Sequence, residues 1–198
     1  QVIMRSVTQS RTLLACSRAL SSSAAPVASR FYSADAAEKN LLGTSVSDDE
    51  GKVLKDEFWQ NKKVVLFGVP GAFTPVCSSK HVPSFIENLD KLRAKGVDEV
   101  ACVSVNDRFV LQGWRATLGS TEGLTLLADW NGEFSKHLGM DIDLSAAGLG
   151  ARCKRFAMIV DNGKVIQENV ELSPGDFEVT SAEAILALLP DSEPKSEC

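Results

Sequence analysis

Val64-Val65-Leu66-Phe67-Gly68-Val69-Pro70-Gly71-Ala72-Phe73-Thr74-Pro75-Val76-Cys77 carries the most decisive signal in this 198-residue chain. Its first half is an apolar run of strand length, which predicts a short buried strand over 64–69. Prolines and a glycine then mark a turn. Beyond it, Val82, Phe85, Ile86, Leu89 and Leu92 recur on one helical face, with Gly96 as a stop. The stretch reads as strand, tight turn and helix, with one cysteine at the helix entrance. A helix N-terminus offers unpaired N–H groups and a partial positive charge, both of which favour thiolate over thiol. Pro83 cannot donate to Ser79, so a kinked helix is expected to carry Cys77 in its first turns.

Outward from this stretch, residues 41–59 read as a weak hairpin around Ser47-Asp48-Asp49-Glu50-Gly51. Strands predicted over Glu99–Val105 and Leu124–Trp130 alternate with helical segments over 106–119 and 132–138. Asp161-Asn162-Gly163, between Arg155–Val160 and Val165–Leu172, is a strong hairpin signal. Thr180 and Glu183 are spaced as a capping box for a last helix carrying Ile185, Leu186, Leu188 and Leu189. An order of β-α-β followed by β-β-α predicts a thioredoxin-like α/β fold. Its central sheet is mostly parallel with one antiparallel strand, and helices cover both faces. Sites in such sheets lie beyond the C-terminal strand ends, which is where Cys77 follows Val64–Val69. Trp59, Trp114 and Trp130 fall at core-like spacing and are assigned to packing.

Hydrophobic residues make up 44% of the chain. No apolar run approaches the ~20 residues that span a bilayer, so a soluble body without membrane contact is expected. Charge is uneven. Residues 1–34 hold four arginines (Arg5, Arg11, Arg18, Arg30), eight serines and no Asp, Glu or Lys. With four of the 21 Lys+Arg there, the rest of the chain sets 17 against 26 Asp+Glu, a net charge of −9. That body has no basic footprint for nucleic acid. The Arg- and Ser-rich, acid-free leader fits a transit peptide over 1–32, with delivery to the mitochondrial matrix. Arg30-Phe31-Tyr32-Ser33 predicts cleavage after Tyr32, and Met4 reads as the initiator. Residues 33–190 then form the folded domain and 191–198 a polar tail.

Five cysteines (Cys16, Cys77, Cys102, Cys153, Cys198) make no C-x-x-C pair and do not fit a disulfide framework. His81 and His137 stand apart from any ligand-like cluster, so neither a metal site nor a bound cofactor is expected.

Pro70-Gly71-Ala72-Phe73-Thr74-Pro75-Val76-Cys77-Ser78 resembles the active-site signature of the peroxiredoxins, Pro-x-x-x-Thr-x-x-Cys. Leu66-Phe67-Gly68-Val69-Pro70-Gly71 and Ser104-Val105-Asn106-Asp107 are similar to the type II, peroxiredoxin-5-like subfamily, and the likeness runs from Lys62 to Leu189. The resemblance implies a thiol peroxidase that reduces hydrogen peroxide and small organic hydroperoxides in antioxidant defence. Cys77 would be its peroxidatic nucleophile and pass through a sulfenic acid. Thr74, one helical turn earlier, would set its hydroxyl beside the sulfur. Pro70 would cover it. The residues alone leave Arg152, Lys154 and Arg155 equivalent as a charge partner; the resemblance singles out Arg155. His81-Val82-Pro83 is family-like as well, and there a satisfied structural histidine is expected.

Many animal members of the subfamily carry a resolving cysteine before the last helix, where Val179-Thr180-Ser181-Ala182 has serine. Cys102, which matches a second cysteine of plant and microbial members, and Cys153, two residues before Arg155, are the candidate resolving residues. The Ser181 departure favours one-cysteine chemistry, with the sulfenic acid reduced by glutathione and glutaredoxin or by thioredoxin. A homodimer with contacts near the active-site loops is implied too. A peroxide sensor or redox relay is the alternative reading of the same cysteine.

Overall fold

The computed structural model describes residues 39–190, so the expected transit segment over 1–32, the expected cleavage after Tyr32 and the 191–198 tail lie outside the described residues. β1 (Val46–Asp48) and β2 (Val53–Leu54) form the expected hairpin, but its far end folds as a helical turn, α1 (Asp56–Trp59). Then come β3 (Lys63–Val69), a π-helical turn (Cys77–His81) and α2 (Val82–Ala94). β4 (Glu99–Ser104), α3 (Arg108–Thr117), β5 (Leu124–Ala128) and α4 (Glu133–His137) follow. A separate ribbon of β6 (Asp141–Asp143) and β7 (Ala151–Cys153) precedes the hairpin of β8 (Phe156–Asp161) and β9 (Lys164–Val170), and α5 (Ala182–Leu188) ends the fold.

Seven strands make one sheet in the order β2-β1-β5-β4-β3-β8-β9. β3, β4 and β5 are parallel, and β8 is the opposed strand that the sequence predicts. β1, laid antiparallel on β5, adds a second opposed strand on the far side. The side chains of β3 divide the core. Val65, Phe67 and Val69 pack with Phe85, Leu111, Trp114 and Ile185 beneath α2, α3 and α5. Val64 and Leu66 pack with Trp59, Phe134 and Leu138 beneath α1 and α4. A strand buried on both faces must be apolar throughout, which is why β3 reads as an unbroken run. No described helix is long and apolar enough to cross a membrane.

Two local readings are corrected. Trp130 is 72% exposed rather than core. β5 stops at Ala128, and the buried Asp129 carboxylate accepts the Phe134 and Ser135 N–H groups at the start of α4. The cap of α5 is Ser181, whose hydroxyl accepts from Ala184 N at 3.2 Å, and not Thr180. Thr180 instead gives its N–H and its hydroxyl to Glu171 Oε1 at 3.0 and 2.9 Å.

Candidate active site

Pro70 is buried at the end of β3, and the chain turns at once. Gly71 O accepts from Thr74 N at 3.4 Å and from Thr74 Oγ1 at 2.8 Å. The third residue of this turn, Phe73, has φ 62°, a left-handed conformation uncommon for an aromatic residue. Its ring lies over α3, 3.7 Å from where a Cβ on Gly113 would stand. β4 and α3 then hold the loop on both sides of the cysteine. Asn106 Oδ1 accepts from Ala72 N at 3.0 Å and from Ser104 Oγ at 2.7 Å, with Arg152 Nη1 3.4 Å away. Trp114 Nε1 donates to Ser78 Oγ at 2.9 Å.

Helical backbone starts at Pro75, so Cys77 sits in the first turn as expected. The segment is not α-helical throughout. Val82 N donates to Cys77 O, a bond one residue wider than an α-helical one, and a fresh α-helix begins at Val82 with Pro83 in its first turn. Proline is tolerated there because the first N–H groups of a helix have no intrahelical partner. The π-turn absorbs the missing donor without a break. Such turns recur at functional sites.

Cys77 is fully buried and Arg155 is 2% exposed. Arg155 Nη1 stands 3.5 Å from Cys77 Sγ and 3.1 Å from His81 Nδ1, and Nη2 donates to Pro174 O at 2.7 Å. Arg155 Nε has no hydrogen-bond partner among the described residues. Among the described residues no carboxylate forms an ion pair with this guanidinium. A buried cation without a counter-ion is costly, and the sulfur is the group beside it that can become anionic. His81 is held neutral: burial first, and the Arg155 charge second, push its pKa down to about 3.

Of the sequence candidates, the fold brings Cys77 and Arg155 into contact, and it places Pro70 and Thr74 on the turn that leads to the cysteine. Arg152 serves the loop, and Lys154 Nζ donates outward to Gly139 O at 3.1 Å, so the basic trio is resolved by geometry. Cys102 is 1% exposed on β4, opposite Phe67. Burial, reinforced by a charge on Cys77, pushes its thiol well above the ordinary range. Cys153 lies in the core on the other face of the sheet and donates from Sγ to Val69 O at 3.0 Å. Burial, then the Asp129 charge, push it up to about 12. All three are free thiols. Sequence reasoning missed His81 as a contact of the arginine, although its spacing of four from Cys77 on a helix was a signal. It also missed Asn106, whose grip on Ala72 joins two segments 34 positions apart.

A family model described as Redoxin matches residues 22–186. The mitochondrial Peroxiredoxin-2F of Arabidopsis thaliana is 44% identical over 195 residues, covering 91% of this chain and 97% of the relative. The mitochondrial Peroxiredoxin-2F of Oryza sativa subsp. japonica is 53% identical over 133 residues, 67% of each chain. Among solved structures, reduced Prx3 of Vibrio vulnificus in complex with H2O2 shares 45% identity with a TM-score of 0.71, covering 76% of this chain and 92% of that one. These likenesses agree with a thioredoxin-like sheet bearing a cysteine at the end of β3. The chain belongs to the redoxin family, as a mitochondrial peroxiredoxin of type II and hence a thiol peroxidase.

Proposed function

We propose that Cys77 is the peroxidatic nucleophile, with Arg155, Thr74 and Pro70 completing the site. One observation carries this reading: a buried guanidinium, unpaired with any carboxylate among the described residues, stands 3.5 Å from the Cys77 sulfur. The thiolate attacks the terminal oxygen of a hydroperoxide. The S–O bond forms as the O–O bond breaks, sulfur gives two electrons to the peroxide, and the departing oxygen takes a proton to leave as water or alcohol. Arg155 stabilises the charge growing on that oxygen. The Thr74 hydroxyl commits its proton to Gly71 O, which leaves its oxygen to accept from the peroxide O–H. Pro70 shields the sulfur from bulk water. The H2O2 complex of the Vibrio vulnificus relative supports small hydroperoxides as substrates.

The sulfenic acid is reduced from outside. Glutathione displaces water to give a mixed disulfide, which glutaredoxin resolves with a second thiol, or thioredoxin does both steps. Two observations support this route. Cys102 and Cys153 are buried thiols with raised pKa values. Ser181, at the position where many animal members of the resembled subfamily carry cysteine, works as the cap of α5. Phe73 and Phe109 are 54% and 66% exposed, and Phe73 lies over Gly113, one turn beyond Phe109 on α3. This apolar patch beside the cysteine loop suits a homodimer. Residues 1–32 act as the transit peptide, removed after Tyr32 in the matrix.

NADPH-coupled assays with glutaredoxin plus glutathione, or with thioredoxin, test the cycle on Cys77→Ser, Cys102→Ser and Cys153→Ser. Sustained turnover lost only in Cys77→Ser is expected. A single stoichiometric burst with every reductant would favour a peroxide sensor or relay instead.

A further inference from the structure

Both ring nitrogens of a buried histidine need partners, and the partners choose the tautomer. His81 is fully buried. Nε2 lies 2.9 Å from Thr180 O, and a carbonyl accepts only from a protonated nitrogen. Nδ1 is therefore bare and accepts from Arg155 Nη1 at 3.1 Å. The two Nη1 hydrogens thus serve two acceptors, the Cys77 sulfur and the imidazole. Beyond the sulfur itself, the guanidinium has two anchors among the described residues, His81 Nδ1 and the loop carbonyl of Pro174.

The histidine is itself held. The rings of Phe67, Phe177 and Phe85 stand 5.0, 5.3 and 5.6 Å from it. Thr180 is fixed by Glu171, whose Oε1 also takes Glu178 N and Val179 N at 2.8 Å each. Glu171 N in turn donates to Arg155 O at 3.0 Å. The chain of contacts runs from Arg155 through His81, Thr180 and Glu171 back to Arg155. A guanidinium is a planar fork, so fixing one nitrogen from the side fixes the direction of its N–H groups.

We propose that His81 is a positioning residue, whose Nδ1 lone pair holds Arg155 Nη1 against the Cys77 sulfur. It does not touch peroxide. The proposal rests on the peroxidase reading for what Arg155 does to substrate, but its geometry is independent of that reading. A histidine that merely supported the 171–181 loop would act through Nε2 and Thr180 alone.

Two substitutions separate these roles. His81→Asn places an amide oxygen near the Nδ1 position and retains the acceptor for Arg155. His81→Gln places an amide nitrogen near the Nε2 position and retains the donor to Thr180. Two readouts are taken on the full chain: the pH titration of the Cys77 thiolate by ultraviolet absorbance, with the Cys77→Ser protein as blank, and the second-order rate with H2O2. In His81→Gln the thiolate should titrate at higher pH and the rate fall by ~10- to 100-fold, the scale of a misplaced catalytic group. His81→Asn should restore the parental titration and most of the rate. Loss in Asn with retention in Gln, or equal behaviour of both, overturns the proposal. If Gln does not fold, Asn alone decides: a raised thiolate titration refutes the positioning role. A parent chain inert to peroxide, whose thiolate still shifts in Gln, would sink the peroxidase reading and leave this one standing.

Discussion

Arg155 Nη1 lies 3.5 Å from Cys77 Sγ, although the two residues are 78 positions apart, one just before β8 and the other in the π-turn after β3. β3 and β8 are neighbours in the sheet, so the pairing of two strands sets the distance between thiol and charge. The arginine is not replaceable by lysine in this setting. A single ammonium cannot face the sulfur, His81 Nδ1 and Pro174 O together. Arg155→Lys should keep the fold and lower the H2O2 rate by about 10²-fold, the scale of losing one positioned donor. Stopped-flow kinetics with parental rates in the lysine variant would contradict this.

His81 makes stability depend on acid in a predictable direction. Unfolded, it takes up a proton near its ordinary value of 6.5; folded, only near 3. Between those values the unfolded chain binds the extra proton, so the stabilisation is complete above 6.5 and is lost as pH falls towards 3. Carboxylates titrate in the lower part of this window, so the readout is a difference between proteins. The urea midpoint of the parent should fall more steeply from pH 6.5 downward than that of His81→Asn. Parallel curves would contradict a neutral buried imidazole.

Cys102 and Cys153 should be inert in the native state. Burial holds both thiols above the ordinary range, and alkylation proceeds through thiolate. Iodoacetamide at pH 8 should label neither residue in the folded protein and both in urea, as read by peptide mass spectrometry. Native labelling of Cys102 at the urea rate would restore it as a ready resolving thiol.

Gly68 faces Phe156 across the β3–β8 pair, and a Cβ there would stand 2.1 Å from the Phe156 ring. Neither strand has room to yield, since both are buried. Gly68→Ala should cost about 1–3 kcal/mol, the range for an overpacked core, and lower the melting temperature. Because Phe156 follows Arg155 directly, the peroxide rate should fall as well. An unchanged melting temperature would show that the ring moves freely.

The sheet and the position of the candidate cysteine were legible because local patterns specify both. An unbroken apolar run requires a strand buried on two faces, and the Pro-Gly turn puts Cys77 at its end. The Asp161-Asn162-Gly163 hairpin was equally plain. Features set by long-range contacts were not. Trp130 looks like core by spacing, yet it follows a strand that ends two residues earlier. The π-turn arises from a proline that forbids one bond, and a one-dimensional pattern cannot say whether the helix will kink or widen. The roles of His81 and Asn106 depend on partners 34 to 99 positions away. Among Arg152, Lys154 and Arg155, only the three-dimensional pairing of β3 with β8 distinguishes the buried charge beside the sulfur from its part-buried neighbours.

The most direct test of the central claim is to trap the oxidised sulfur. The reduced chain is treated with one equivalent of H2O2 and a sulfenic-acid-selective nucleophile, and its peptides are analysed by mass spectrometry. The account predicts an adduct on the Cys77 peptide and none on the peptides of Cys102 and Cys153. An unmodified Cys77 beside an adduct elsewhere would contradict Cys77 as the attacking residue, and a Cys77–Cys102 disulfide in place of the adduct would contradict one-cysteine chemistry.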